Sequence, residues 1–211
     1  MAKRLSKVKI SWNTDFAYAI GLIVTDGNLS KDGRHMNMTS KDLEMIDNFK
    51  KCLGLNNKVG RKSRSDSKDK KYFQVQFGDR NFYDFLLSLG ITPTKSKTIG
   101  ALAIPDLYFA DFLRGCIDGD GSIVVTKHPE SKHPQLRARV YSASLDFIKW
   151  LKKKIETNTR IKKGYIGHPG SVYVVSYGKA DSIKILKFIY YKGVNFYLKR
   201  KYDIAKAFLN K

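Results

Sequence analysis

Ala19-Ile-Gly-Leu-Ile-Val-Thr-Asp-Gly27 and Leu113-Arg-Gly-Cys-Ile-Asp-Gly-Asp-Gly121 share one pattern, a Gly followed five residues later by an Asp-Gly pair. Asp26 and Asp120 are 94 residues apart. Further along, Lys41-Asp-Leu-Glu-Met-Ile46 matches Ala143-Ser-Leu-Asp-Phe-Ile148, and Phe73-Gln-Val-Gln-Phe-Gly78 matches Tyr173-Val-Val-Ser-Tyr-Gly178. The three matches run in the same order at offsets of 94 to 102 residues, which marks a tandem duplication.

Each copy predicts the same elements. Phe16–Val24 is apolar and helical, with Asn13 or Thr14 as cap. Strands follow at Asn28–Ser30 and Arg34–Thr39, turned at Asp32-Gly33. Ser40 is placed to cap a helix running to Leu53, with Gly54 after its end. Strands near Asn57–Arg64 and Lys71–Phe77 precede a helix over Asn81–Leu89, stopped by Gly90. The second copy repeats this with helices over Leu107–Ile117 and Leu145–Thr157 and from Asp181, and a further helix over Asn195–Leu209 follows. The expected fold is α+β: two pseudo-symmetric αββαββα repeats with antiparallel sheets. The first repeat is assigned to residues 1–91 and the second to 106–211, with 92–105, bracketed by Pro93 and Pro105, as linker.

Strand alternation separates two faces. Met36 and Met38 oppose His35, Asn37 and Thr39; Phe73, Val75 and Phe77 oppose Tyr72, Gln74 and Gln76; Leu136, Ala138 and Val140 oppose Arg137, Arg139 and Tyr141. One face packs on helices, and the other carries Asn, Gln, Arg and Tyr. Val172–Val175 breaks the alternation and leaves that strand undecided.

The 211 residues hold 40 Lys and Arg against 19 Asp and Glu, a formal charge of +21. It is shared, net +9 over residues 1–105 and +12 over 106–211, so it is not a detachable tail. With 42% hydrophobic residues the chain can bury a core, which excludes a disordered basic arm. The longest apolar run, Phe16–Val24, is too short for a membrane span, and Met1–Ile10 lacks the apolar core of a signal peptide. A protein that is cytoplasmic, or organellar if encoded there, and not secreted is expected. Cys52 and Cys116 stand alone, which argues against a cysteine zinc site or a disulfide scaffold.

Charge of this size on both halves points to nucleic acid, since each phosphate neutralised releases counterions. The candidate DNA contacts are Asn28, Ser30, Arg34, His35, Asn37, Arg61, Lys62, Arg64, Tyr72, Gln74 and Gln76 in the first copy. In the second they are Ser122, Lys127, Arg137, Arg139, Tyr141, Lys162 and Lys163. Basic clusters at Lys58–Lys71 and Lys149–Lys163 occupy related places and suit phosphates at opposite ends of one duplex.

Gly inside a helix costs about 1 kcal/mol relative to Ala, so Gly21 and Gly115 imply close approach of another backbone. If the two helices pack at these points, Asp26 and Asp120 end side by side. Carboxylates at two helix C-termini repel each other and the helix dipoles, a poor arrangement for stability and a suitable one for a divalent cation.

Both segments resemble the LAGLIDADG motif, and the chain from about Asn13 onward is similar to the monomeric, two-repeat LAGLIDADG homing endonucleases. That resemblance implies motif helices paired between the halves and two sheets forming a saddle on double-stranded DNA. It implies a monomer with internal pseudo-two-fold symmetry that cuts both strands across the minor groove of a long site, leaving 3′ overhangs. Asp26 and Asp120 match the catalytic, metal-holding acids, assisted by the backbone carbonyls of Thr25 and Gly119. The implied cofactor is Mg²⁺, with Mn²⁺ as a substitute and Ca²⁺ supporting binding without cleavage. Lys41, in Thr39-Ser-Lys41, matches the family's pocket lysine after the second strand. Two departures stand out: Val24 replaces the motif's first acid, which Asp118 keeps, and Ala143 stands where a second pocket lysine is expected. Unequal cutting of the two strands follows from the second.

Other readings explain less. Pro105-Asp106 with Glu130-Ser-Lys132 imitates a restriction-nuclease pattern, but the Glu and Lys lie between prolines that disfavour a strand. Tyr165-Ile-Gly167 lacks the partner motif of its nuclease class. A structural or ribosome-associated basic protein leaves both acids idle. The alternatives that keep the fold are an RNA maturase and a DNA-binding regulator that does not cleave.

Overall fold

A computed structural model describes residues 6–63, 71–127, 134–161 and 163–209. The first half runs α1 (Thr14–Asp26), β1 (Gly27–Leu29), β2 (His35–Ser40), α2 (Leu43–Leu53), β3 (Val59–Lys62), β4 (Tyr72–Gly78) and α3 (Arg80–Ser88). The second runs α4 (Phe109–Asp118), β5 (Gly121–Thr126), β6 (Gln135–Ser142), α5 (Leu145–Thr159), β7 (Tyr165–Gly167), β8 (Tyr173–Tyr177) and α6 (Lys179–Ile189), and α7 (Lys199–Leu209) follows. The fold is α+β in two repeated halves, as the pattern implied. Both four-stranded sheets are antiparallel, ordered β1-β2-β4-β3 and β5-β6-β8-β7.

The registers of the two sheets correspond residue for residue. Gly27 opposes Met38, which opposes Val75; Gly121 opposes Val140, which opposes Val175. Met36, Met38, Val75 and Phe77 are buried against the helices, as are Leu136, Ala138 and Val140. The register also resolves the undecided strand. Val175 and Tyr177 face the core, while Val174 and Ser176 lie beside Tyr141 and Arg139 on the other side.

α1 is buried along nearly its whole length because it lies between its own sheet and α4. The Asn13 side chain starts it by accepting from the Phe16 amide at 2.8 Å. A methyl group on Gly21 would lie 2.2 Å from the Phe112 carbonyl oxygen, and one on Gly115 2.2 Å from that of Tyr18. Each added methyl would also fall within 3.0 Å of the other glycine's Cα, so the two glycines face each other across the pair. Asp118, buried in α4, accepts from the Tyr18 hydroxyl at 2.9 Å and from the Leu198 amide at 2.9 Å, which ties the second motif helix to the first and to the approach to α7.

Element ends depart from the expected ones for local reasons. Ser40 is the last residue of β2, opposite Phe73, and its hydroxyl accepts from the Asp42 amide; α2 therefore starts at Leu43 with Asp42 before it. α5 continues to Thr159 and stops on Arg160 in the left-handed region (φ 56°), where no Gly is available. α7 starts at Lys199, not Asn195, because the preceding backbone is already engaged: the Tyr197 carbonyl by Asn48 Nδ2 (3.0 Å) and the Leu198 amide by Asp118. Arg200 of α7 then pairs with Asp42 at 2.8 Å, so α7 binds the first half to the second. Residues 92–105 form a packed strap: Ile99, Leu102 and Ile104 are buried, and the Ser144 hydroxyl donates to the Ile99 carbonyl at 2.5 Å. Among the described residues no helix is long and apolar enough to cross a membrane.

Candidate active site and DNA interface

The back-to-back glycines bring the C-terminal ends of α1 and α4 together. A Cβ on Gly119 would fall 2.0 Å from Thr25 Oγ1 and 2.8 Å from Asp26 Oδ2, so the residues preceding the two acids are in contact. Burial, then the charge of Asp120, pushes the Asp26 carboxyl up to about 7. Asp120 is more open and lines a cavity of about 470 Å³ with Thr25, Ser96, Tyr141 and Ala143, yet partial burial still raises its carboxyl above the ordinary range. Two acids are thus held where ionisation is costly.

Two buried lysines stand beside them. Lys95, in a single turn of 3₁₀ helix over Lys95–Lys97, donates to the Gly27 carbonyl at the end of α1. Lys201, in α7, donates to the carbonyls of Ile117 (2.5 Å), Asp118 (2.7 Å) and Gly121 (2.8 Å) at the end of α4. A cation at a helix C-terminus satisfies carbonyls that lack intrahelical partners and opposes the negative end of the dipole. Burial lowers both ammonium groups to about 8, against the pull of the nearby aspartates. All three protons of Lys201 are engaged, whereas Lys95 makes one such bond among the described residues and keeps donors to spare.

Lys41 is the lysine that the sequence resemblance pointed to. It is exposed on the sheet side, its ammonium 5.4 Å from the centre of the Tyr72 ring. The largest electrostatic influences on Asp26 come from Asp120, Lys201, Lys95 and Asp42. The motif comparison missed Lys95 and Lys201 because one lies in the linker and the other in the helix that only the second half carries. Their shared signal is position, each in the segment trailing its own repeat.

Among the described residues no group of three or more His, Cys, Asp or Glu gathers as a closed metal cage. The donor set at Asp26 and Asp120 instead suits an ion that keeps water and phosphate oxygens, as Mg²⁺ does. The charge of Asp120, which helps to raise the Asp26 carboxyl, is what a cation there would offset.

The sheets flank this point. Asn28, Asn37 and Gln76 lie in one row across β1, β2 and β4, with Gln74 and Tyr72 further along β4 and Lys62 opposite Tyr72. His35 shares the face, but its Nδ1 is bonded to Asp32 Oδ2 at 2.5 Å, which holds the Asp32 carboxyl down at about 2. Ser30 and Arg34 sit at the hairpin tip, where the Ser30 carbonyl accepts from Tyr83 Oη at 2.6 Å. Arg61 falls on the other side of its strand: it opposes Phe73, its guanidinium 4.0 Å from that ring centre, away from Tyr72 and Gln74. In the second sheet Ser122, Arg139 and Ser176 form the corresponding row, beside Arg137 and Tyr141, and Lys127 and Lys163 are exposed at the strand ends. Tyr165, exposed, and His168, stacked on Tyr173 at 4.2 Å, line the same concavity of about 540 Å³. Arg64 and Lys162, and with Arg64 the rest of residues 64–70 in the Lys58–Lys71 cluster, lie outside the described residues, as do Glu130 and Lys132 of the rival pattern. Asp106 of that pattern is on the outer surface, ion-paired with Lys154.

No protein-family model and no curated protein matches the chain. Solved structures do. The full-length DUF199/WhiA of Thermatoga maritima is 15% identical with a TM-score of 0.58, over 99% of this chain but 66% of that one, so this chain spans just under two thirds of that protein's length. I-SmaMI bound to uncleaved DNA target in the presence of calcium ions is 15% identical, TM-score 0.60, over 94% of this chain and 91% of that one. I-DmoI in complex with DNA and Ca is 14% identical, TM-score 0.59, over 92% and 97%. The chain therefore has the fold shared by LAGLIDADG homing endonucleases and the LAGLIDADG domain of WhiA.

Proposed function

We propose that this chain is a metal-dependent, site-specific DNA endonuclease of the LAGLIDADG type, a monomer whose two repeats (to residue 91 and from 106) grip one long duplex and break both strands. The observation that carries the proposal is the pair Asp26 and Asp120, one from each half, confined at adjoining helix ends between two polar sheet faces. The acids, with the carbonyls of Thr25 and Gly119, would hold the ion. Mg²⁺ is the natural cofactor; Mn²⁺ can replace it, and Ca²⁺ supports binding without cutting. When bound, such an ion polarises a phosphate and supplies an activated water. Lys95, with donors to spare, offsets phosphate charge or orients the water, while Lys201 locks the end of α4.

Cutting of a random plasmid library tests this. Linear product with Mg²⁺ and none with Ca²⁺ or EDTA supports the endonuclease; sequence-selective binding without cutting in Mg²⁺ supports a regulator. The second reading has its own support, because the fold this chain shares with the homing endonucleases also spans 99% of it in WhiA. Selective retention of structured intron RNA without DNA cutting would favour the maturase.

The lysines give a sharper comparison. Lys95→Met slows cutting by about 10²- to 10³-fold, the loss typical of one positioned charge at the reacting phosphate. Lys41→Met changes it by less than about 10-fold, since Lys41 lies over Tyr72. Single-turnover cleavage rates of the two variants check this, and the reverse ranking restores Lys41 to the role the sequence suggested.

A further inference from the structure

The matched registers allow the two DNA-facing sheets to be compared position by position. Asn28 corresponds to Ser122, Asn37 to Arg139 and Gln76 to Ser176, because each set opposes across its three strands in the same way. These rows begin two residues after the acids, so they are the rows nearest the candidate site of cutting. The first row is three carboxamides. The second is one guanidinium between two hydroxyls, and Arg137 stands two residues before it on β6.

All these side chains lie opposite buried neighbours. Asn28 and Gln76 are exposed, and Asn37 is half-buried between buried Met36 and Met38. Among the described residues the amides of Asn28, Asn37, Gln74 and Gln76 are not consumed by internal side-chain hydrogen bonds. Arg139 makes one long bond, Nε to Ser176 Oγ at 3.4 Å, and Ser122 Oγ is buried without a partner. Adjacent strands are about 4.8 Å apart, so a three-strand row spans roughly 10 Å, close to three base-pair steps. In the major groove Asn or Gln pairs with adenine through both edge groups, and Arg pairs with guanine through O6 and N7.

On the footing of the DNA-binding function proposed above, we infer that the target is asymmetric in composition: the arm under the first half carries adenine at the central-most contacted positions, and the arm under the second half carries guanine at the equivalent positions, read by Arg139 and Arg137. The internal duplication thus preserved the scaffold while the two reading faces diverged chemically. Asn37 and Arg139 are the pivotal pair, one amide and one guanidinium at the same place in the two sheets.

The experiment is selection of bound duplexes from a random library by the whole chain, in Ca²⁺ at about 0.15 M salt, repeated with Asn37→Arg and with Arg139→Asn. The wild-type consensus is expected to show an adenine-bearing arm and a guanine-bearing arm. Asn37→Arg converts one position of the first arm from adenine to guanine; Arg139→Asn converts its counterpart in the second arm the other way. Each exchange alters discrimination there by roughly 5- to 100-fold, and the untouched arm keeps its consensus, which reports a folded protein. A consensus with the same bases in both arms, or one that neither exchange moves, overturns this inference while leaving DNA recognition standing. No enriched sequence at all overturns the DNA-binding proposal and this inference with it.

Discussion

Asp26→Asn and Asp120→Asn each give a protein that binds its duplex within a few-fold of the parent and makes no double-strand break, the cutting rate falling by about 10³-fold or more because each carboxylate would help hold the cation whose charge stabilises the reacting phosphate by several kcal/mol. The stability change distinguishes this from structural damage. Asp26 has a folded-state carboxyl near 7 against an ordinary value of 3.8, owing first to burial and then to Asp120. For an acid raised on folding, the unfolded chain releases its proton first, so stability falls as pH rises through the window from about 4 to 7 and stays low above it. Asn cannot ionise. The Asp26→Asn variant is accordingly expected to melt higher than the parent at pH 8 and to lose the advantage near pH 4, which thermal melts at the two values read directly. A variant that melts lower at pH 8 assigns Asp26 to the framework.

Gly21→Ala has the largest expected effect on stability. Ala normally gains about 1 kcal/mol over Gly inside a helix, so propensity alone predicts a more stable protein. The contact geometry reverses the sign. The new methyl falls 2.2 Å from the Phe112 carbonyl oxygen and 2.9 Å from Gly115 Cα, both backbone atoms of a buried helix that have no side-chain rotamer through which to yield. α1 and α4 must separate, which opens the packing between the halves and moves Asp26 from Asp120. A loss of about 3 kcal/mol, at the upper end for overpacking, corresponds to roughly 6–12 °C in Tm for a chain of this size. Gly115→Ala should behave alike, since its methyl meets the Tyr18 carbonyl oxygen at the same 2.2 Å. Gly33→Ala is a useful contrast: nothing lies within 4 Å, and only its φ of +74° resists the change, so about 1 kcal/mol is expected.

The duplication made most of the fold legible. A Gly and an Asp-Gly at fixed spacing, found twice, located α1 and α4, and the period-2 patterns located the strands and their faces. What the pattern did not show was set by contacts distant in sequence. Ser40 could not start a helix because Phe73 holds it in β2. Asn195–Leu198 does not coil because Asn48 and Asp118 occupy its backbone. Arg61 alternates onto the helix side because β3 pairs Val59 with Val75, a register that four residues of an edge strand do not announce. At the site, the acids were visible because their sequence repeats. Lys95 and Lys201 were not, because a lysine among 40 Lys and Arg carries no mark of burial. Only the fold shows that these two reach carbonyls at the helix ends and stand beside the acids.

The central claim is that one shared centre, built from an acid of each half, cuts both strands between two DNA arms. The most direct measurement is strand-resolved mapping of the products from the selected duplex, each strand labelled at its 5′ end, with the parent protein in Mg²⁺. Cuts on both strands, offset to leave 3′ overhangs and lying between the adenine-bearing and guanine-bearing arms, are the predicted result. Duplex that stays intact in Mg²⁺ while saturated with protein, or cuts that fall outside the two arms, would contradict it.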